Sequence, residues 1–228
     1  MAGARSRPAS AKRLKFLAGL LLLPFCAGVA RTTVRLIQAT ATADTFWFPF
    51  VAGAACWLSI YVLLPKPLWL YVCGHELTHA LWACTFGGKV KKIKISARGG
   101  YVSLSKTNFL ISLSPYFFPL YAVLILAGFI LGHVIWGLRT WFPLLYLSLG
   151  TAYCFHVTLT AFALKAKQTD ITDHGRLFSA VIIWLGNLGV LIVGLPLLTS
   201  KVNLSSTILE VFADTFSVVA WVASLFKS

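Results

Sequence analysis

The stretch that decides the reading is Leu68-Trp69-Leu70-Tyr71-Val72-Cys73-Gly74-His75-Glu76-Leu77-Thr78-His79-Ala80-Leu81-Trp82-Ala83-Cys84-Thr85-Phe86. It is apolar along most of its length, yet His75, Glu76 and His79 stand together near its middle. Residues four apart on a helix project from one face about a turn apart, so the two imidazoles can meet one ion while Glu76 stands beside the first of them. Ionisable groups inside an apolar helix are costly and mark functional sites.

Outward from this stretch, the 228-residue chain is 58% hydrophobic and only 11% charged, against about 25% charged in ordinary soluble domains. A span needs about 20 apolar residues. Six stretches are expected to qualify: Leu14 to Ala30, Phe46 to Leu64, Leu68 to Phe86, Asn108 to Trp136, Trp141 to Leu164, and Leu177 to Leu198 with Asn187 buried inside it. Gly28-Val29-Ala30 also reads as a signal-peptide cleavage site, but the five spans that follow favour an uncleaved first helix, interrupted by Pro24.

Between the third and fourth spans, Lys92 to Ala97 alternates polar and apolar residues, Gly99-Gly100 is expected to turn the chain, and Tyr101 to Leu104 is rich in strand formers. The pattern predicts a β-hairpin at the membrane surface. The tail from Leu204 to Phe226 puts Ser206, Glu210, Asp214 and Ser217 on one stripe, which predicts an amphipathic interfacial helix. The expected fold is therefore an all-α polytopic membrane protein with about six transmembrane helices, a short β-hairpin after the HExxH helix and a C-terminal interfacial helix. One integral membrane domain covers residues 1-228: two N-terminal spans in 1-67, a core in 68-200 and the tail in 201-228.

The net charge of +14 arises from 20 Lys and Arg against six acids. Basic residues cluster at Arg5 to Lys15 and Lys89 to Lys106, where anionic lipid head groups attract them more readily than nucleic acid does. Alternating spans put these two clusters on opposite sides of the membrane, so the positive-inside rule sets no orientation. The cysteines at 26, 56, 73, 84 and 154 lie in apolar segments without a CxxC and read as small buried hydrophobes.

His75 and His79 are candidate zinc ligands and Glu76 the general base, the division of labour of metalloprotease helices. Bound zinc lowers the pKa of its water to about 7. Three residues compete to complete the site. His79 lies seven residues before Phe86, about 10 Å deep at 1.5 Å per residue. His156 lies eight residues before Leu164 on the same membrane side, so its depth matches, whereas Asp170 and Asp173 reach the metal only if the segment before the sixth span dips inward. His156 can instead hydrogen-bond the reacting carbonyl, or satisfy Thr160 one turn away. Pro115 and Pro119 each remove a helical hydrogen bond and free a carbonyl; with Asn108, Ser112 and Ser114 they predict a cavity lining in the fourth span. His133 reads as an interfacial anchor and His174 as a loop residue with a weak claim as a ligand.

The arrangement His75-Glu76-Leu77-Thr78-His79-Ala80 within a span, followed by Gly87-Gly88, a hairpin and a proline-bearing span, resembles the site-2 protease family of intramembrane zinc metalloproteases. The resemblance covers about half the chain, from the third span to the sixth. It implies a zinc cofactor, hydrolysis of peptide bonds in membrane-embedded or membrane-proximal substrates, residence as a multi-pass protein of the cell membrane, and an aspartate as third ligand from an Asp-Gly context. Here Gln168-Thr169-Asp170-Ile171-Thr172-Asp173-His174-Gly175 stands in that place, and Asp170, at what looks like an inward-facing helix start, is preferred over Asp173. The edge of Tyr101 to Leu104 is a candidate for pairing with an unwound peptide. The departure from the Asp-Gly motif keeps an inactive, protease-like membrane chaperone or scaffold in view. A small metal or proton transporter is the other alternative, although no internal repeat of the transporter kind is present.

Overall fold

The computed structural model describes residues 9–96 and 99–226; residues 5–8 of the basic head, and Ala97 and Arg98 of the hairpin, lie outside them. The chain is mostly helical, with helices α1 (Ala9–Leu21), α2 (Leu23–Thr40), α3 (Asp44–Leu63), α4 (Leu68–Thr85), α5 (Phe109–Leu113), α6 (Leu120–Trp136), α7 (Phe142–Ala163), α8 (Thr169–Thr172), α9 (Arg176–Thr199) and α10 (Leu204–Leu225). Strands β1 (Val90–Ser96) and β2 (Gly99–Leu104) form one antiparallel pair.

Four of these segments are long and apolar enough to cross a membrane: α3, α7 with its preceding turn, α9 and α10. Counting two bent pairs raises the number to six, α1 with α2 and α5 with α6. The expected number is therefore within reach, but its membership changes. The HExxH helix α4 is absent from this set, because His75, Glu76 and His79 dilute its apolar character. In its place stands α10, which the stripe of Ser206, Glu210, Asp214 and Ser217 had assigned to the interface. The buried side of α10 is Thr207, Val211 and Asp214. Asp214 is no solvated residue, since Thr32 Oγ1 donates to it at 2.9 Å and Arg35 and Arg31 pair with it at 3.0 and 3.6 Å. Those same partners explain why α2 runs ten residues past Ala30: its arginines have a carboxylate, and the Thr33 and Thr40 hydroxyls donate to the helix's own carbonyls.

Contacts divide the chain into two compact units, where the sequence reading takes one domain in consecutive segments. One comprises the N-terminal residues to Thr42 with Lys167 onward, the other Ala43–Ala166. In the former, α1 and α2 meet at a 42° bend just before Pro24, whose missing N–H interrupts the ladder. Asn187 is half-buried rather than buried, and its amide donates to Ile183 O at 2.8 Å.

In the unit Ala43–Ala166, α3 and α7 form the main helix contact. They approach closely at two glycines. A Cβ at Gly53 would stand 1.9 Å from Leu147 O, and one at Gly150 would stand 1.9 Å from Phe50 O. Small residues at a crossing let backbones touch, the usual device where lipid supplies no hydrophobic drive. One turn on, Trp57 Nε1 donates to Thr158 Oγ1 at 2.8 Å, and Trp57 packs edge-on against Phe155 over the buried Leu159. The packing of α7 on α3 thus fixes the rotation of α7, and with it the direction of His156.

The hairpin forms, with a correction. Gly99 and Gly100 belong to β2, paired with Ser96 and Ile95, and do not make the turn. The fourth expected span is not a kinked helix either. It breaks after the Ser114–Tyr116 turn that extends α5, and the axis of Phe109–Tyr116 differs from that of α6 by 83°. Pro115 and Pro119 sit in that break, and Asn108 caps α5 by accepting from Ile111 N at 2.8 Å.

Replacing Gly150 by Ala drives a methyl group into a backbone carbonyl. The expected loss is about 1–3 kcal/mol of stability. Thermal unfolding of the detergent-solubilised variant checks this; a melting temperature equal to that of the parent contradicts the close crossing.

Candidate metal centre

The site begins with a proline. An intact helix would use the N–H of residue 115 to bond the carbonyl of Ile111, but Pro115 has none. The freed Ile111 O accepts from Ser114 Oγ at 3.1 Å and lies 2.7 Å from His79 Nδ1. A carbonyl has no proton to give, so Nδ1 carries the hydrogen. In the neutral ring, Nε2 then bears the lone pair. A backbone carbonyl holding one ring N–H is the arrangement that metal-ligating histidines use to present the other nitrogen.

His79 is buried, and His75 is half-buried one turn earlier on α4. Their rings stand edge to face with centroids 4.9 Å apart, and the two present ligand nitrogens within 4.8 Å of one another. The spacing suits two ligands of one ion, each about 2.0–2.1 Å from it. Tyr116 stands edge-on to His75 at 5.3 Å and Tyr71 is tilted against it at 5.8 Å, which walls the ring on two sides. Thr78 Oγ1 donates to Gly74 O at 2.7 Å, so its hydroxyl is satisfied within the helix.

Glu76 is buried on a different side of α4, toward the hairpin. A Cβ at Gly100 would stand 2.8 Å from Glu76 Cγ and 2.9 Å from Val72 Cγ1, so β2 meets α4 through bare backbone there. No sequence pattern announced this role for Gly100, which looked like turn chemistry.

His156 is buried on α7 and lines, with His75, Thr78, Pro115, Tyr121 and Phe155, a cavity of about 20 Å3, the size of one water molecule. Its Nε2 is buried with no hydrogen-bond partner among the described residues. Thr160 Oγ1 has none either, so the expected bond between the two does not form. Depth arithmetic put His156 level with the HExxH pair, and the structure gives it the same cavity as His75. The wall nearby is fixed by Tyr121, whose hydroxyl donates to Leu70 O at 2.6 Å.

Asp170 belongs to the other unit. It stands half-buried in the first turn of α8, a short helix tied to α9 where Ser179 Oγ donates to Ile171 O at 3.1 Å. Asp173 is exposed at the end of α8. His174, expected in a solvated loop, is almost fully buried, and its Nδ1 meets Lys15 Nζ, which also lies over the Phe178 ring. His133 stacks on Phe129 and meets the edge of Phe142 near the end of α6.

The donor chemistry fits zinc: two imidazoles on one helical face, one with its tautomer fixed by a backbone carbonyl and both within reach of a single ion. Replacing Pro115 by Ala restores an N–H that competes for Ile111 O. Metal affinity is expected to fall about 10-fold, the lower end of what losing the group that orients a ligating histidine costs. Zinc titration of the purified variant measures it, and an unchanged affinity contradicts the role given to this carbonyl. No family model, no curated protein and no solved structure matches the chain.

Proposed function

We propose that this chain is a multi-pass integral protein of the cell membrane and an intramembrane zinc metalloprotease of the site-2 protease kind. The observation that carries the reading is the pair His75 and His79 with Nδ1 of His79 tied to Ile111 O, beside a water-sized cavity that reaches His75 and His156. His75 and His79 hold the metal, and Asp170 completes the set. Of the six acids, Asp214 is taken by two arginines, Asp44, Asp173 and Glu210 are exposed, and Glu76 is adjacent in sequence to His75. Asp170 is half-buried, and it is the aspartate to which the resemblance assigns the third ligand position.

Bound zinc supplies Lewis acidity toward water and a peptide carbonyl. The protein's own groups do the rest. Glu76, shielded from bulk water by α4 and β2, takes the proton of the attacking water and returns it to the leaving amine. His156 faces the cavity with an uncommitted Nε2; in the tautomer with hydrogen on that atom it donates to the carbonyl oxygen as charge develops there. The break between α5 and α6 brings Pro115 and Phe118 to the cavity wall, while Asn108, Ser112 and Ser114, expected to line it, are not among its walls: Asn108 caps α5 and Ser114 bonds Ile111 O. Substrates are membrane-embedded or membrane-proximal peptides.

Glu76→Gln is expected to keep its zinc and to lose hydrolysis of a single-span peptide about 10²–10⁴-fold. An undiminished rate removes the proposed base. Asp170→Ala and His156→Ala separate ligand from donor. Metal content is expected to drop in the former and to hold in the latter, whose turnover falls about 10²–10³-fold. Loss of metal from His156→Ala but not from Asp170→Ala would exchange the two roles.

A further inference from the structure

The register of the hairpin sorts its side chains onto two faces. Ile93 pairs with Val102 and Ile95 with Gly100, and the Gly100 side lies against Val72 and Glu76 of α4. Lys92 pairs with Ser103 and Lys94 with Tyr101, and in a strand these neighbours point the opposite way. Lys92, Lys94 and Tyr101 are all exposed, and Lys89, Lys91 and Lys106 are exposed around them. Asp44 and Glu76 are the acids of the unit Ala43–Ala166, and Glu76 is buried behind the hairpin; among the described residues neither is ion-paired with these lysines.

We propose that the outer face of this hairpin, with Lys92, Lys94 and Tyr101 at its centre, is a docking surface for anionic phospholipid head groups. Charge complementarity selects the occupant. A basic row attracts an anionic leaflet, and Tyr101 is the amphipathic type of ring that settles at head-group depth. Val90, 40% exposed at the start of β1, stands between Lys89 and Lys91, an apolar and basic mixture suited to a lipid boundary and poorly suited to nucleic acid. The unit also contains α3 and α7, each long and apolar enough to cross a membrane, so the hairpin is covalently part of a chain segment built for a bilayer.

Each lysine near an anionic surface contributes roughly fivefold to the docking equilibrium, so the double variant Lys92→Gln/Lys94→Gln weakens it about thirty-fold. The test uses the full chain in nanodiscs of phosphatidylcholine alone or with phosphatidylglycerol, reading hydrogen exchange of the β1 and β2 amides. Exchange is expected to slow when phosphatidylglycerol is present, and the double variant or high salt should abolish that response while exchange in α3 and α7 stays as in the parent. Hairpin exchange that ignores lipid charge overturns the proposal. So does protection in phosphatidylcholine alone that appears only when a soluble acidic peptide is added, which would assign the face to a protein partner. Because the readout involves no turnover and no metal, its outcome is independent of the hydrolytic reading.

Discussion

One hydrogen bond, from His79 Nδ1 to the carbonyl of Ile111, orients the candidate metal centre. A histidine offers a metal one nitrogen only if the other is held, and a backbone carbonyl is the firmest holder available because it cannot change protonation. Carbonyls inside a helix are normally committed. Pro115 removes the competing N–H, and the chain then turns away so sharply that the freed oxygen faces α4 instead of its own helix axis. The helix break is thus part of the candidate centre and not merely a defect beside it.

The other parts bear on the same point from different directions. Glycine contacts between α3 and α7 bring the two backbones together, and Trp57 with Thr158 fixes how α7 is rotated. That rotation turns His156 toward the cavity it shares with His75. From the hairpin side, the missing side chain at Gly100 lets β2 close over Glu76 and keep it from bulk water. Each contact would be unremarkable alone; together they set two imidazoles, a carboxylate and a third histidine around α4.

Much of this was legible in the sequence because it depends on local spacing. The HExxH interval puts His75 and His79 on one face whatever surrounds them, the apolar runs reveal their helices, and the alternation after Gly88 reveals the strands. Proline chemistry also declared that Pro115 and Pro119 would each free a carbonyl, though not that His79 would meet one of them. What could not be read were long-range partners. The polar stripe of α10 looked interfacial because nothing local reveals that Arg31 and Arg35, some 180 residues earlier, pair with Asp214. Gly99-Gly100 looked like a turn because glycine pairs usually make turns, and the need for bare backbone against Glu76 arises only in three dimensions. His174 looked solvated because its short polar segment gives no sign of Lys15. Even the apolar character of α4 was overstated, since His75, Glu76 and His79 keep it out of the set of helices apolar enough to cross a membrane.

The central claim is that α4 carries a metal. Its most direct measurement is the metal content of the full chain purified in detergent without added chelator, set beside His79→Ala prepared in the same way. The account predicts one equivalent of zinc in the parent and near none in the variant, with both folded to the same helical content. A parent without metal after incubation with zinc, or a variant that retains as much as the parent, would contradict it.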